Sequence, residues 1–185
     1  MSRLDLSKEF IPLKIAVLTM SDTRSLAEDR SGTVLVERLQ AAGHKLADRA
    51  ICKDDIGQIQ KQASKWIADR DIDVIITTGG TGFTGRDVTP EALTPLFEKH
   101  MDGFSHVFHR VSFEKIGTST IQSRATAGVA NSTYIFALPG SLGACKDAWD
   151  EILIYQLDYR HQPCNFVEIL PRLDEHLKRS KLQST

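Results

Sequence analysis

Apolar residues along this chain follow two rhythms. Some form short unbroken runs; others return every three or four positions. The runs Lys14-Ile15-Ala16-Val17-Leu18-Thr19-Met20, Asp73 to Thr77 and Tyr134-Ile135-Phe136-Ala137-Leu138 are too short for helices and read as strands buried on both faces. Lys45 to Lys53 is a weaker strand. Between them, Leu35, Leu39 and Ala42 share one face of a helix that Ser31 can cap and Gly43 ends. Ile56, Ile59, Ala63 and Ile67 do the same on a helix opened by Asp54 or Asp55, with Trp66 beside the stripe. Further helices are predicted from Pro90 to about His100, from Gly103 to Ile116, and from about Ala144 to Leu157, where Ala148, Ile152 and Gln156 share a side. Such alternation predicts an α/β fold of three layers, a mostly parallel sheet with helices on both faces. The ends, before Phe10 and after about Lys178, are expected to be frayed.

Composition narrows the function without deciding it. A chain of 185 residues with 41% apolar and 25% charged residues is expected to form one domain with a single core. Its net charge of −1 gives no field to attract nucleic acid or an anionic membrane. No apolar stretch approaches a bilayer's thickness, and the polar start lacks a signal peptide's apolar segment, so the expected location is cytoplasmic. Cys52, Cys145 and Cys164 are odd in number and scattered, which excludes a disulfide framework and a paired-cysteine metal site.

The most telling segment follows the third strand: Thr77-Thr78-Gly79-Gly80-Thr81-Gly82-Phe83-Thr84-Gly85-Arg86-Asp87-Val88-Thr89-Pro90. Glycines let backbone N–H groups turn toward an anion with no Cβ in the way. Thr89-Pro90-Glu91 reads as a helix start, with Thr at the N-cap and Pro in the first turn. A lone Asp87 beside a phosphate would be repelled unless a divalent cation stood between them, as Mg²⁺ does with nucleotides. A Walker loop is excluded, because Arg86-Asp87 stand where Lys and Ser/Thr belong. A dinucleotide fingerprint would open a helix directly, whereas this loop runs on to Pro90.

In open parallel sheets ligands bind beyond the carboxyl ends of strands. That rule selects three segments: Thr19 to Asp29, Gly79 to Thr89, and Pro139-Gly140-Ser141-Leu142-Gly143. In the first, Ser21, Asp22 and Thr23 could cap a local turn as well as touch a substrate. His100, His106 and His109 lie near one another, yet no third ligand of zinc type accompanies them, and they read as surface or interface histidines. No Ser-His-Asp or Cys-His set is evident.

Thr78-Gly79-Gly80-Thr81-Gly82, Arg86-Asp87-Val88-Thr89-Pro90-Glu91-Ala92, Ser123-Arg124 and Leu138-Pro139-Gly140 together resemble the MoaB/Mog family of molybdenum cofactor biosynthesis proteins. Gly117 to Arg124, Gly128-Val129-Ala130-Asn131 and Pro163-Cys164-Asn165-Phe166 resemble its MoaB branch. The likeness spans residues 10–166, expected to be a single molybdopterin-binding domain, with residues 1–9 and 167–185 as terminal extensions.

The resemblance implies a protein that binds molybdopterin and, in active members, adenylylates it with Mg-ATP, releasing diphosphate. It implies that Gly79, Gly80, Thr81 and Gly82 hold phosphate. Asp87 would act in catalysis and hold Mg²⁺, aided by Arg86. Asp54 would be a second catalytic aspartate, with Asp55 as the alternative placement. Ser123, Pro139, Gly140 and Ser141 would border the pterin. Homo-oligomers, trimeric or hexameric, are expected, and other cofactor-biosynthesis proteins are candidate partners. A non-catalytic pterin carrier is the alternative reading, and a nucleotide-dependent enzyme unrelated to molybdenum is a third.

Overall fold

The computed structural model describes residues 3–175. A short strand β1 (Arg3–Leu4) is followed by β2 (Lys14–Met20), α1 (Arg30–Ala41), β3 (Lys45–Cys52), α2 (Ile56–Ala68) and β4 (Val74–Thr78). Helix α3 (Thr89–Leu93) and a 3-10 turn (Thr94–Leu96) lead to β5 (Lys99–His100). Then come α4 (Asp102–Ile116), a 3-10 segment (Gly117–Gln122), β6 (Thr126–Ala130) and β7 (Thr133–Leu138). Helix α5 (Leu142–Ala148) widens into a π-helical stretch (Trp149–Leu153) and continues as α6 (Ile154–Gln156). Strand β8 (His161–Gln162), helix α7 (Phe166–Ile169) and a 3-10 turn (Leu170–Arg172) complete the order.

Six strands form one sheet in the order β3-β2-β4-β7-β6-β5. Strands β3, β2, β4 and β7 run parallel, while β6 is antiparallel to both of its neighbours. Alternate residues of β2 serve opposite layers, as the period of a strand requires. Ile15 and Val17 pack with Leu35 and Leu39 of α1 and with Phe104, Phe108 and Trp149. Ala16, Leu18 and Met20 pack with Ile59, Ala63 and Trp66 of α2 and with Leu93. Strands β4 and β7 are buried along their whole length. The expected three-layer α/β fold, mostly parallel, is the one observed.

Several local expectations are corrected. The helix from Pro90 to His100 stops at Leu93, because Pro95 has no N–H to donate and its ring would crowd the preceding turn. Strand β6 was not anticipated. It pairs with β7 through a two-residue turn, Asn131-Ser132, whose φ of 46° and 67° give the left-handed geometry that suits tight hairpins. Asp29, not Ser31, caps α1, accepting from the Gly32 N–H at 2.8 Å. The segment before Phe10 is not frayed throughout, since Arg3 and Leu4 pair with Gln162 and His161. The matching expectation after Lys178 lies outside the described residues. No helix among the described residues is long and apolar enough to cross a membrane.

Candidate functional site

Strand order places β3 on one side of β2 and β4 on the other, which creates a topological switch point at the carboxyl ends of β2 and β4. The ends are packed tightly. A Cβ on Gly79 would lie 2.5 Å from the Met20 carbonyl oxygen, and one on Gly140 would lie 3.2 Å from the Gly79 Cα. Only glycine fits at Gly79, which also carries a φ of 107° that other residues rarely adopt.

The loop after β4 closes on itself. Thr89 does not act as the N-cap; Val88 takes that position without a side-chain hydrogen bond. The Thr89 hydroxyl instead donates to the Gly79 carbonyl at 2.8 Å, and its N–H donates to the Gly80 carbonyl at 2.9 Å. The Thr81 carbonyl accepts from the Arg124 N–H and the Gly82 carbonyl from the Arg124 Nε. Every carbonyl from 79 to 82 is thus engaged inward. The Gly79 N–H is spent on the Leu138 carbonyl and the Gly82 N–H lies against the Asp87 carboxylate. The N–H groups of Gly80 and Thr81 make no hydrogen bond among the described residues. Of the four expected anion donors, this adjacent pair is left available.

Asp87 belongs to the same loop. Burial opposes its charge, but the Thr84 hydroxyl and N–H donate to Oδ2 at 2.6 and 2.8 Å. With the Gly82 N–H and the Arg124 charge, these hold its carboxyl below the usual carboxylate range. Asp54 and Asp55 have different surroundings. Asp55 caps α2, accepting from the Gln58 N–H at 2.9 Å. Asp54 abuts the anion loop, and a Cβ on Gly80 would come within 2.7 Å of its Oδ1. Burial first, then the negative charge of Asp22, push the Asp54 pKa up, with Arg86 opposing.

Arg86 is exposed and tied to the loop after β2. Its Nε and Nη2 donate to Asp22 Oδ2 at 3.0 and 2.5 Å, and Asp22 Oδ1 accepts from the Asp54 N–H at 3.3 Å. Asp22 thereby ties together the loops after β2, β3 and β4. The remaining expected residues also make contacts within the scaffold. The Pro139 carbonyl accepts from the Thr78 hydroxyl, the Gly140 carbonyl accepts from the Ser31 hydroxyl, and Ser141 caps α5. The Ser123 hydroxyl is buried and has no hydrogen-bond partner among the described residues.

Sequence reasoning assigned Asp22 no firm role and missed Arg124 as a site residue. Arg124 donates from Nη2 to the Asp87 carbonyl at 2.8 Å and pairs with Glu91, so one guanidinium fixes both halves of the loop. Its place beside Ser123 was visible as a family feature, but no spacing rule connects residue 124 to residue 82. A cavity of about 680 Å³ between α4 and the chain near His161 shares no residue with these loops, and its lining is mainly apolar.

Among the described residues no group of three or more His, Cys, Asp or Glu is placed to hold a metal. Mg²⁺ is commonly held by one or two carboxylates plus phosphate oxygens. Asp87, kept ionised, fits an ion that arrives with a nucleotide better than a resident one.

Residues 16–159 match the family model described as a probable molybdopterin binding domain. The chain belongs to the MoaB/Mog family of molybdenum cofactor biosynthesis proteins. It is 54% identical over 160 residues to Molybdenum cofactor biosynthesis protein B of Escherichia coli K12, covering 86% of this chain and 94% of that protein. A crystal structure of a Molybdenum cofactor biosynthesis protein B aligns with a TM-score of 0.79 at 38% identity, over 81% of this chain and 94% of the other. The tungsten cofactor synthesizing protein MoaB from Pyrococcus furiosus aligns with a TM-score of 0.69 at 35% identity, over 77% of this chain and 91% of the other. These MoaB-type proteins are therefore similar to this chain over nearly all of their own length.

Proposed function

We propose that this MoaB-family chain binds molybdopterin and transfers AMP to it from Mg-ATP. In this reaction the terminal phosphate of molybdopterin attacks the α-phosphorus, the bond to the β-phosphate oxygen breaks, and diphosphate leaves. One observation carries the reading: the unspent N–H groups of Gly80 and Thr81 share a loop with a carboxylate, Asp87, that is held ionised. Amides accept the negative oxygens of a phosphate, and the carboxylate suits the counter-cation.

The demands of the step match what the residues offer. Phosphoryl-type transfers need alignment and charge stabilisation more than covalent chemistry, so no protein nucleophile is required. Backbone donors fixed by Thr89 and Arg124 are already aimed, which is where electrostatic stabilisation gains its strength. Bound Mg²⁺ would neutralise charge on the reacting phosphates. Asp87 is the residue to hold it, and Asp54, against Gly80, is the second acid within reach of the same anion. Arg86 keeps the loops after β2 and β4 together through Asp22.

Asp87→Ala is expected to abolish AMP transfer while molybdopterin affinity changes less than about threefold, measured by diphosphate release and by calorimetric titration. A carrier reading is favoured by the engagement of Asp87 Oδ2 with Thr84. It stands in place of the enzyme if wild-type protein binds molybdopterin but gives no heat with Mg-ATP and no diphosphate.

A further inference from the structure

Phe83 is the aromatic residue of the anion loop, and it is 68% exposed. A phenyl ring left in water gains little from folding, and a solvated turn needs no ring. Yet this ring is placed rather than loose. The Arg124 guanidinium lies over it, 5.6 Å from the centroid. That guanidinium is itself fixed by the carbonyls of Gly82 and Asp87 and by Glu91. On either side of Phe83-Thr84 stand glycines. A Cβ on Gly85 would meet nothing within 4 Å, so that flank of the loop has no packed neighbour. The unspent amides of Gly80 and Thr81 belong to the same loop, three and two residues earlier.

We propose that Phe83, backed by Arg124, is a stacking platform for the flat heteroaromatic ring of the ligand whose phosphate rests on the Gly80 and Thr81 amides. This inference rests on the anion-site reading above and adds a subsite to it. A guanidinium over one face and a heterocycle over the other use the ring's two π surfaces, each a favourable contact. Pterin and adenine are both planar heterocycles attached to phosphate through a short linkage, and either one can occupy the platform.

Titration calorimetry with molybdopterin, with ATP and Mg²⁺, and with inorganic diphosphate as a ring-free reference separates the outcomes. Phe83→Leu, which keeps an apolar side chain and removes the π face, is expected to weaken one ring-bearing ligand about tenfold while diphosphate changes less than about twofold. The ligand that weakens identifies the ring. Phe83→Trp is expected to retain affinity, with indole emission quenched on binding. Unchanged affinity for both ring-bearing ligands in Phe83→Leu overturns the platform, as does an equal loss for diphosphate. A change in solution mass in Phe83→Leu also overturns it, because the ring would then be a subunit contact. Wild-type protein that binds none of the three ligands overturns the anion site itself. Wild-type binding of diphosphate, with ring-bearing ligands indifferent to Phe83→Leu, removes the platform and leaves the anion site standing.

Discussion

His44 is buried beside Phe10 and Trp149, and its Nδ1 accepts from the Leu13 N–H at 3.1 Å. Burial pushes its pKa down to about 4, with the charge of Asp158 opposing. A base whose folded pKa is depressed is protonated first in the unfolded chain. Its stabilising effect is therefore full above about pH 6.5 and is lost as pH falls toward 4. The drop is on the order of 3 kcal/mol, and His44→Leu should flatten the unfolding midpoint across that window. The pKa values of Asp54 and Asp87 are displaced in opposite directions, the first up and the second down. Asp54→Asn should consequently change the acid limb of any activity profile, while Asp87→Asn should lower activity at every pH. Asp87 stood out in the sequence as the lone acid of the glycine loop, whereas Asp54, with Asp55 as the alternative, was marked only by the family resemblance. The role of Asp22 was not, because its partners Arg86 and Asp54 become neighbours only when two loops converge.

At the scale of elements, most of the pattern was readable and most errors have a local cause. Continuous apolar runs marked β2, β4 and β7, since strands covered on both faces have no polar side. Strand β6 escaped because Thr126-Ala127-Gly128-Val129-Ala130 is small and weakly apolar; Gly128 is needed where the Phe97 ring crosses it. Pro95 was in plain sight as the stop of α3. The cap of α1 moved from Ser31 to Asp29 because tertiary partners decide it. Asp29 also accepts from the Thr19 hydroxyl at 2.7 Å and pairs with Arg49 at 3.0 Å. Asp29→Ala should cost roughly 2–4 kcal/mol in denaturant unfolding, since it removes a cap and leaves a partly buried guanidinium unpaired. Gly79→Ala should cost about 2–3 kcal/mol for its left-handed backbone and its overlap with the Met20 carbonyl. It should also reduce diphosphate affinity in the same protein.

For the whole molecule, the sheet supplies a rigid base and the loops at the carboxyl ends of its parallel strands form the candidate site. A homo-oligomer is an expectation of the family resemblance, and Val107, Phe113, Ile116 and Ile121 on and after α4 are exposed apolar residues suited to such a contact. Phe113→Glu should lower the mass measured by light scattering; an unchanged mass would place the contact elsewhere. The closure of residues 79–89 by Thr89 and Arg124 has a thermodynamic corollary. Ordering a mobile backbone typically costs about 1–2 kcal/mol per residue at the moment of capture. Here that entropy is surrendered when the polypeptide folds. On the proposed reading an incoming phosphate therefore meets a receptor already set, and little of its attraction is diverted to shaping it.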